Sequence, residues 1–258
     1  MMRALTTAGA GMVAQQYNLD TIANNLANVN TTAFKQMRAE FQDLMYQTFK
    51  AAGGTNQAGD AQQVGLGSRF AATAASFTMG PLQSTGNPLD MAINGDGFFQ
   101  VLRPDGSTAY TRDGSFKISA DGTLVNSDGY ILQPQTQIDT RATSVNVGRD
   151  GRISFMLPGQ SEPTILPAID IARFPNPAGL QRVGQNLYIA SGSSGEAQVG
   201  PPEEDGAGAI QGGFLEGSNV QVVEEMVKMI MAQRAYEINS KAIQTADDML
   251  ALLNNLKR

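Results

Sequence analysis

Apolar residues recur every seven positions at the start of the chain, at Leu5, Met12, Leu19 and Leu26. A second row lies three residues further on, at Ala8, Ile22 and Val29, with Gln15 breaking it. Rows spaced this way share one side of a helix, and a stripe this narrow has the form of a coiled-coil seam. Gln16, Asn18, Asp20 and Asn24 occupy the other side. The C-terminal end has the same period. Met231, Ile238, Thr245 and Leu252 form one row and Ala235, Ala242, Met249 and Leu256 another, with Val220, Val223 and Val227 extending an apolar face upstream. Ser218 or Asn219 is placed to cap this second helix, and Glu224 and Glu225 fall in its early turns, where negative charge suits the helix dipole.

Between these ends the period changes to two. Leu89-Asp90-Met91-Ala92-Ile93 alternates, Phe98-Phe99-Gln100-Val101-Leu102 predicts a nearly buried strand, and Asp-Gly pairs recur at Asp105, Asp113, Asp121 and Asp128. Gly and Asp tolerate positive φ, so these pairs predict tight turns between short strands. A further turn at Asp150-Gly151 precedes a strand from Arg152, and strands are expected at 165–174 and 187–190. Residues 51–67 are rich in Gly, Gln and Ala, and residues 191–213 in Gly, Ser, Pro and Glu. Both predict loops or extended strands.

The fold class expected is therefore α+β. N- and C-terminal helices pair as an antiparallel, coiled-coil-like helical domain, and an all-β domain is inserted between them. The expected boundaries are 1–33 plus 217–258 for the helical domain, 34–78 plus 203–216 for a connecting segment, and 79–202 for the β domain. Small residues on the helices (Ala4, Ala10, Ala14, Ala23, Ala27) admit close neighbours. Isolated helices of this length are marginal in water, so the ends are expected to pack on copies of the same chain.

Composition narrows the chemistry. The 258 residues hold no His and no Cys. That excludes Ser-His-Asp and Cys-His nucleophiles and the usual zinc and iron–sulfur sites, leaving only carboxylate chemistry open to an enzyme. The Asp-Gly turns fit no calcium-loop pattern, and no cofactor is expected. A net charge of −6 argues against nucleic acid and anionic membranes as partners. No stretch has the roughly 18 apolar residues of a membrane span, and the N-terminus lacks the layout of a cleaved signal peptide.

Three segments carry a resemblance. The first is Ile22-Ala23-Asn24-Asn25-Leu26-Ala27-Asn28-Val29-Asn30-Thr31-Thr32-Ala33-Phe34-Lys35. The second comprises Gly95-Asp96-Gly97-Phe98-Phe99-Gln100-Val101 and Ala109-Tyr110-Thr111-Arg112-Asp113-Gly114-Ser115-Phe116. The third is Ser218-Asn219-Val220 followed by Gln233-Arg234-Ala235-Tyr236-Glu237-Ile238-Asn239-Ser240-Lys241. In this order they resemble the flagellar rod and hook proteins. Asn24, Asn25 and Asn28 can bond neighbouring backbone, and Asn30 can leave the helix through left-handed geometry. The family usually has Gly where this chain has Ala33, so the backbone there either does not need positive φ or accepts strain.

The resemblance implies a non-enzymatic subunit that polymerises into a stiff helical tube transmitting torque. Chain length and the Tyr-Thr-Arg-Asp-Gly segment place it nearest the distal-rod members. A proximal-rod paralogue is the alternative within the family. From another class, a secreted carbohydrate-binding β module fits less well, because a chain without Trp has little to stack on sugars. Residues 46–65, including Tyr46, Gln47, Gly53, Gly54, Asn56, Gln57, Gln62 and Gln63, resemble the family's rod-stiffening insertion. The implied partners are copies of the chain, the proximal-rod and hook proteins, the flagellar rings around the rod and the type III export apparatus. The implied location is the periplasmic part of the flagellar basal body.

Overall fold

A computed structural model describes residues 2–50, 62–159, 162–204 and 206–256. The chain is α+β, with one helix at each end, α1 (Met2–Ala27) and α2 (Val222–Leu256), and antiparallel strands between them. It divides into two units. One comprises Met1–Ala27, Met37–Ser76 and Gln221–Arg258; the other comprises Asn28–Gln36 and Phe77–Val220.

In the helical unit, α1 and α2 run antiparallel. Asn25 near the end of α1 bonds Glu225 at the start of α2, and Gly11 lies against Asn239. A Cβ at Gly11 would stand 2.9 Å from the Asn239 amide nitrogen, so the small residue sets the approach of the helices. The same unit contains a β arm. Strand β1 (Met37–Asp43) pairs with β4 (Ser68–Ala75), and β2 (Tyr46–Lys50) with β3 (Gln62–Gly65). The Leu44 N–H donates to the Gly67 carbonyl at 2.8 Å and joins the two ladders. Of the stretch 51–67, expected as loops or extended strands, residues 62–65 are paired strand. Phe70 of β4 stacks on Tyr17 of α1 at 4.8 Å between ring centres and meets Phe41 edge-on at 6.3 Å.

The β-rich unit is organised around strand Phe98–Leu102. It pairs with Thr108–Thr111 on one side and Ile131–Gln133 on the other, and Ile171–Arg173 also adds to it at Phe98 and Phe99. Period two sends Phe99 and Val101 into one core with Met91, Ile93, Phe116, Ile153 and Ile210, and Phe98 into a second with Tyr110, Phe174 and Tyr188. Both faces are covered, which is why the segment reads as an apolar run broken only by the half-buried Gln100. Separate ladders join Ser144–Val147, Arg152–Met156 and Thr164–Ala168, then Met91–Asn94 with Ala209–Gly212, and Leu82–Ser84 with Phe214–Glu216. The single strand expected at 165–174 is therefore two, in different sheets.

Gly106, Gly122, Gly129 and Gly151 have positive φ, as tight turns require. Gly114 does not. Its carbonyl accepts from the Met91 N–H at 3.0 Å, and an added Cβ would collide with the Met91 carbonyl. Asp113-Gly114 is a point of close backbone approach, not the hairpin turn its sequence suggested.

Candidate assembly interface

The rods and hooks that the sequence resembles work through surfaces, so the relevant geometry is where the helical rows lie. On α2, Glu225, Ala232 and Ala246 are buried, and Met229, Ala235, Asn239, Ile243 and Leu250 are half-buried. Their spacing of three and four defines one face, and α1 is its packing partner. The row Met231, Ile238, Thr245 and Leu252 lies elsewhere. Met231 and Ile238 are each 67% exposed and Leu252 is 62% exposed, with Thr245, Ala242 and Met249 exposed beside them. Val223, Val227 and Ile230 prolong this apolar stripe toward the N-terminus of α2. Leu256 lies in the last turn of the helix.

Helix α2 therefore has two apolar faces, one used within the subunit and one open. A contiguous exposed apolar strip on a helix is the signature of an interaction surface. On α1, Ile22 is buried, Leu5, Met12, Leu19 and Leu26 are half-buried, and Asn24 is exposed.

The asparagines have specific tasks. Asn25 is 1% exposed. Its amide donates to the Met37 carbonyl at 2.8 Å and to Glu225 Oε2 at 2.9 Å, and its Oδ1 accepts from the Met37 N–H at 2.8 Å. One side chain thus ties α1, β1 and α2 together. Asn28 accepts from the Thr31 hydroxyl at 3.1 Å, closing the turn after α1, and Val29 is half-buried in that turn. Asn30 does not take the left-handed conformation; Ala33 does, at φ 55°. Of the two options open for Ala33, the structure selects strain: it is buried, and its N–H donates to the Glu216 carbonyl at 2.8 Å. A left-handed Ala costs about 1–2 kcal/mol relative to Gly.

Neither Ser218 nor Asn219 caps α2. The helix begins after Gln221, whose carbonyl accepts from the Glu225 N–H at 3.0 Å. Asn219 Oδ1 instead accepts from the Gln36 N–H at 2.7 Å, and its amide donates to Thr78. Within the β-rich unit, the segment leaving α1 and the segment approaching α2 are stitched side by side.

At that stitch sits a charge cluster that periodicity gave no reason to seek. Glu216, Lys35 and Arg112 are 0%, 0% and 3% exposed. Lys35 Nζ donates to Glu216 Oε1 at 2.6 Å and to the Thr78 carbonyl at 2.8 Å. Arg112 donates to Glu216 Oε2 at 3.1 Å and to the Gly95 carbonyl, and the Gly80 N–H donates to Glu216 Oε1 at 2.9 Å. Burial pulls the Lys35 ammonium below its usual range; Glu216 offsets this in part, while Arg112 adds to it. Lys35 and Arg112 lie inside two of the motifs quoted above. The signal available in the sequence was a charged residue amid apolar and Gly positions, but nothing marked Glu216 as their shared partner.

In the arm, Tyr46, Gln47 and Gln63 are exposed and Gln62 belongs to β3. Gly53, Gly54, Asn56 and Gln57 lie outside the described residues.

Comparison with known proteins decides the family. Residues 5–35 match the family described as flagella basal body rod protein, residues 92–155 the flagellar hook protein FlgE/F/G D1 domain, and residues 211–256 the flagellar basal body rod FlgEFG protein C-terminal family. The flagellar basal-body rod protein FlgG of Borreliella burgdorferi is 52% identical over the whole of both chains. The chain belongs to the FlgG family of flagellar basal-body rod proteins. Within one organism, Caulobacter vibrioides, this rod-family chain is 42% identical to FlgG over 99% of its length and all of that protein, but 33% identical to FlgF over 96% of its length and 95% of that protein.

Proposed function

We propose that the chain is a structural subunit of the distal flagellar rod, polymerising into a rigid helical tube that carries torque from the motor to the hook. Membership of the FlgG family supports it, and greater likeness to FlgG than to FlgF of the same organism favours the distal reading over the proximal one. The observation that carries the mechanism is the open apolar stripe of α2, through Met231, Ile238, Met249 and Leu252. Leaving such a stripe in water forfeits on the order of 1 kcal/mol or more per large side chain, which contact with a neighbouring copy recovers. Contacts between unlike surfaces that do not close into a ring generate an open helix.

In this reading α1 and α2 form a coiled-coil-like pair whose outer rows (Leu5, Met12, Leu19 and Leu26 on α1, and the stripe on α2) meet other copies. The β-rich unit, spanning the inserted β domain expected at 79–202, makes the lateral wall. The subunit leaves the cytoplasm through the flagellar type III apparatus and stacks between proximal rod and hook in the periplasm, inside the rings. The β arm supplies stiffness. A two-stranded ribbon is marginal alone, and Met45, Tyr46 and Val64 are exposed along it, so neighbours complete it and resist sliding.

The test is genetic. Cells whose only copy lacks residues 220–258 should form no distal rod and should not swim. Cells whose copy lacks residues 46–63 should form rods that bend in electron micrographs. Rods built from the first variant would refute the assembly role, and straight rods from the second would refute the role of the arm.

A further inference from the structure

Met231 and Met249 stand 18 residues apart on α2, five full turns, so they point the same way. They are 67% and 48% exposed and lie in the stripe with Ile238 and Leu252. With no Cys in the sequence, the sulfur chemistry of the chain rests on its 12 methionines. Among the others, Met91 is 0% exposed in the β core and Met12 and Met229 are half-buried, whereas Met45, Met79, Met156 and Met226 are exposed as well. The two stripe methionines are therefore open to a soluble oxidant while the subunit is free, and they become enclosed only when the stripe is covered.

We propose that Met231 and Met249 are a reversible oxidation site that controls subunit assembly; the proposal rests on the reading of the α2 stripe as the contact between copies. The oxidant is a hydroperoxide. The thioether sulfur attacks one peroxide oxygen, an S–O bond forms and the O–O bond breaks. With hydrogen peroxide the other oxygen leaves as water after proton transfer. The sulfur loses two electrons and the peroxide gains them. The product sulfoxide is polar and chiral in place of a flexible apolar group, and methionine sulfoxide reductases reverse it with a thiol reductant. A sulfoxide oxygen carried into an apolar contact without a donor loses its water and gains nothing in return. Each subunit contributes its stripe to the polymer, so the penalty repeats along the tube. Unbranched thioethers suit such a contact otherwise, because they fit irregular apolar surfaces.

The experiment compares polymerisation of purified full-length chain before and after hydrogen peroxide, with sulfoxide at each methionine quantified by peptide mass spectrometry. Oxidation at Met231 and Met249 should raise the critical concentration at least tenfold, equivalent to about 1.4 kcal/mol per subunit added. Treatment with the two sulfoxide reductases should restore it. The double variant Met231→Leu with Met249→Leu should assemble like wild type and keep that ability after peroxide. A variant with Met79→Leu, exposed in the β-rich unit, should remain peroxide-sensitive. Unchanged assembly of fully oxidised wild type overturns the proposal, as does a leucine double variant that is still inactivated by peroxide. Ile238→Asp separates the two levels. If it blocks assembly while oxidation does not, only the oxidation site fails; if it assembles normally, the stripe reading fails and this proposal with it.

Discussion

Replacing Glu216 by Ala lowers the stability of the β-rich unit by about 3–5 kcal/mol, the cost of leaving buried charge without its partner. Both carboxylate oxygens are committed, to Lys35, Arg112 and the Gly80 N–H, and neither cation has water to fall back on. The loss should register as faster hydrogen exchange at the amides of strand Phe98–Leu102. The ion cluster need not be a net stabiliser over an apolar core, because desolvating three charges consumes much of their attraction. A triple variant (Lys35→Met, Arg112→Met, Glu216→Leu) is accordingly expected to recover most of what the single change loses. A single variant within about 1 kcal/mol of wild type would show that the cluster is looser than these distances describe.

The second large effect falls on assembly alone. Ile238→Asp places a charge in the middle of the α2 stripe. In the free subunit the site is 67% exposed, so folding stability should stay within about 0.5 kcal/mol of wild type. In a packed contact the same carboxylate is stripped of water without a partner, at a cost of several kcal/mol for every subunit added. Rods should be absent and cells non-motile although the variant folds. Motile cells with normal rods would place the contact on another face.

Much of this was legible from residues alone. The heptad rows located both helices, and the run at Phe98–Leu102 announced a nearly buried strand; that two separate cores cover it came from the structure. What periodicity could not assign was direction. Met231, Ile238 and Leu252 share a stripe, but on the face that meets α1 the large apolar residues Met229, Ile243 and Leu250 alternate with Ala232, Asn239 and Ala246, which are too small or too polar to continue a hydrophobic row. Close helix packing favours such small residues, so the stronger pattern marked the outside. Asp113-Gly114 misled because the same dipeptide serves a tight turn and a close crossing of backbones, and only tertiary contact with Met91 separates them. At Ala33 the family resemblance raised the right question. The answer, a left-handed alanine held by the Glu216 carbonyl, needed the partner segment in view. Glu216 was invisible for the same reason: its partners are 104 and 181 residues away.

The chain contains no Cys, so the variant Ile238→Cys carries a single thiol whose reactivity reports on the stripe directly. Its maleimide labelling rate should be that of an exposed thiol in the free subunit and should fall at least tenfold in assembled rods. Equal labelling in both states would mean that the α2 stripe stays in water after assembly, which contradicts the central claim that this face joins one copy to the next.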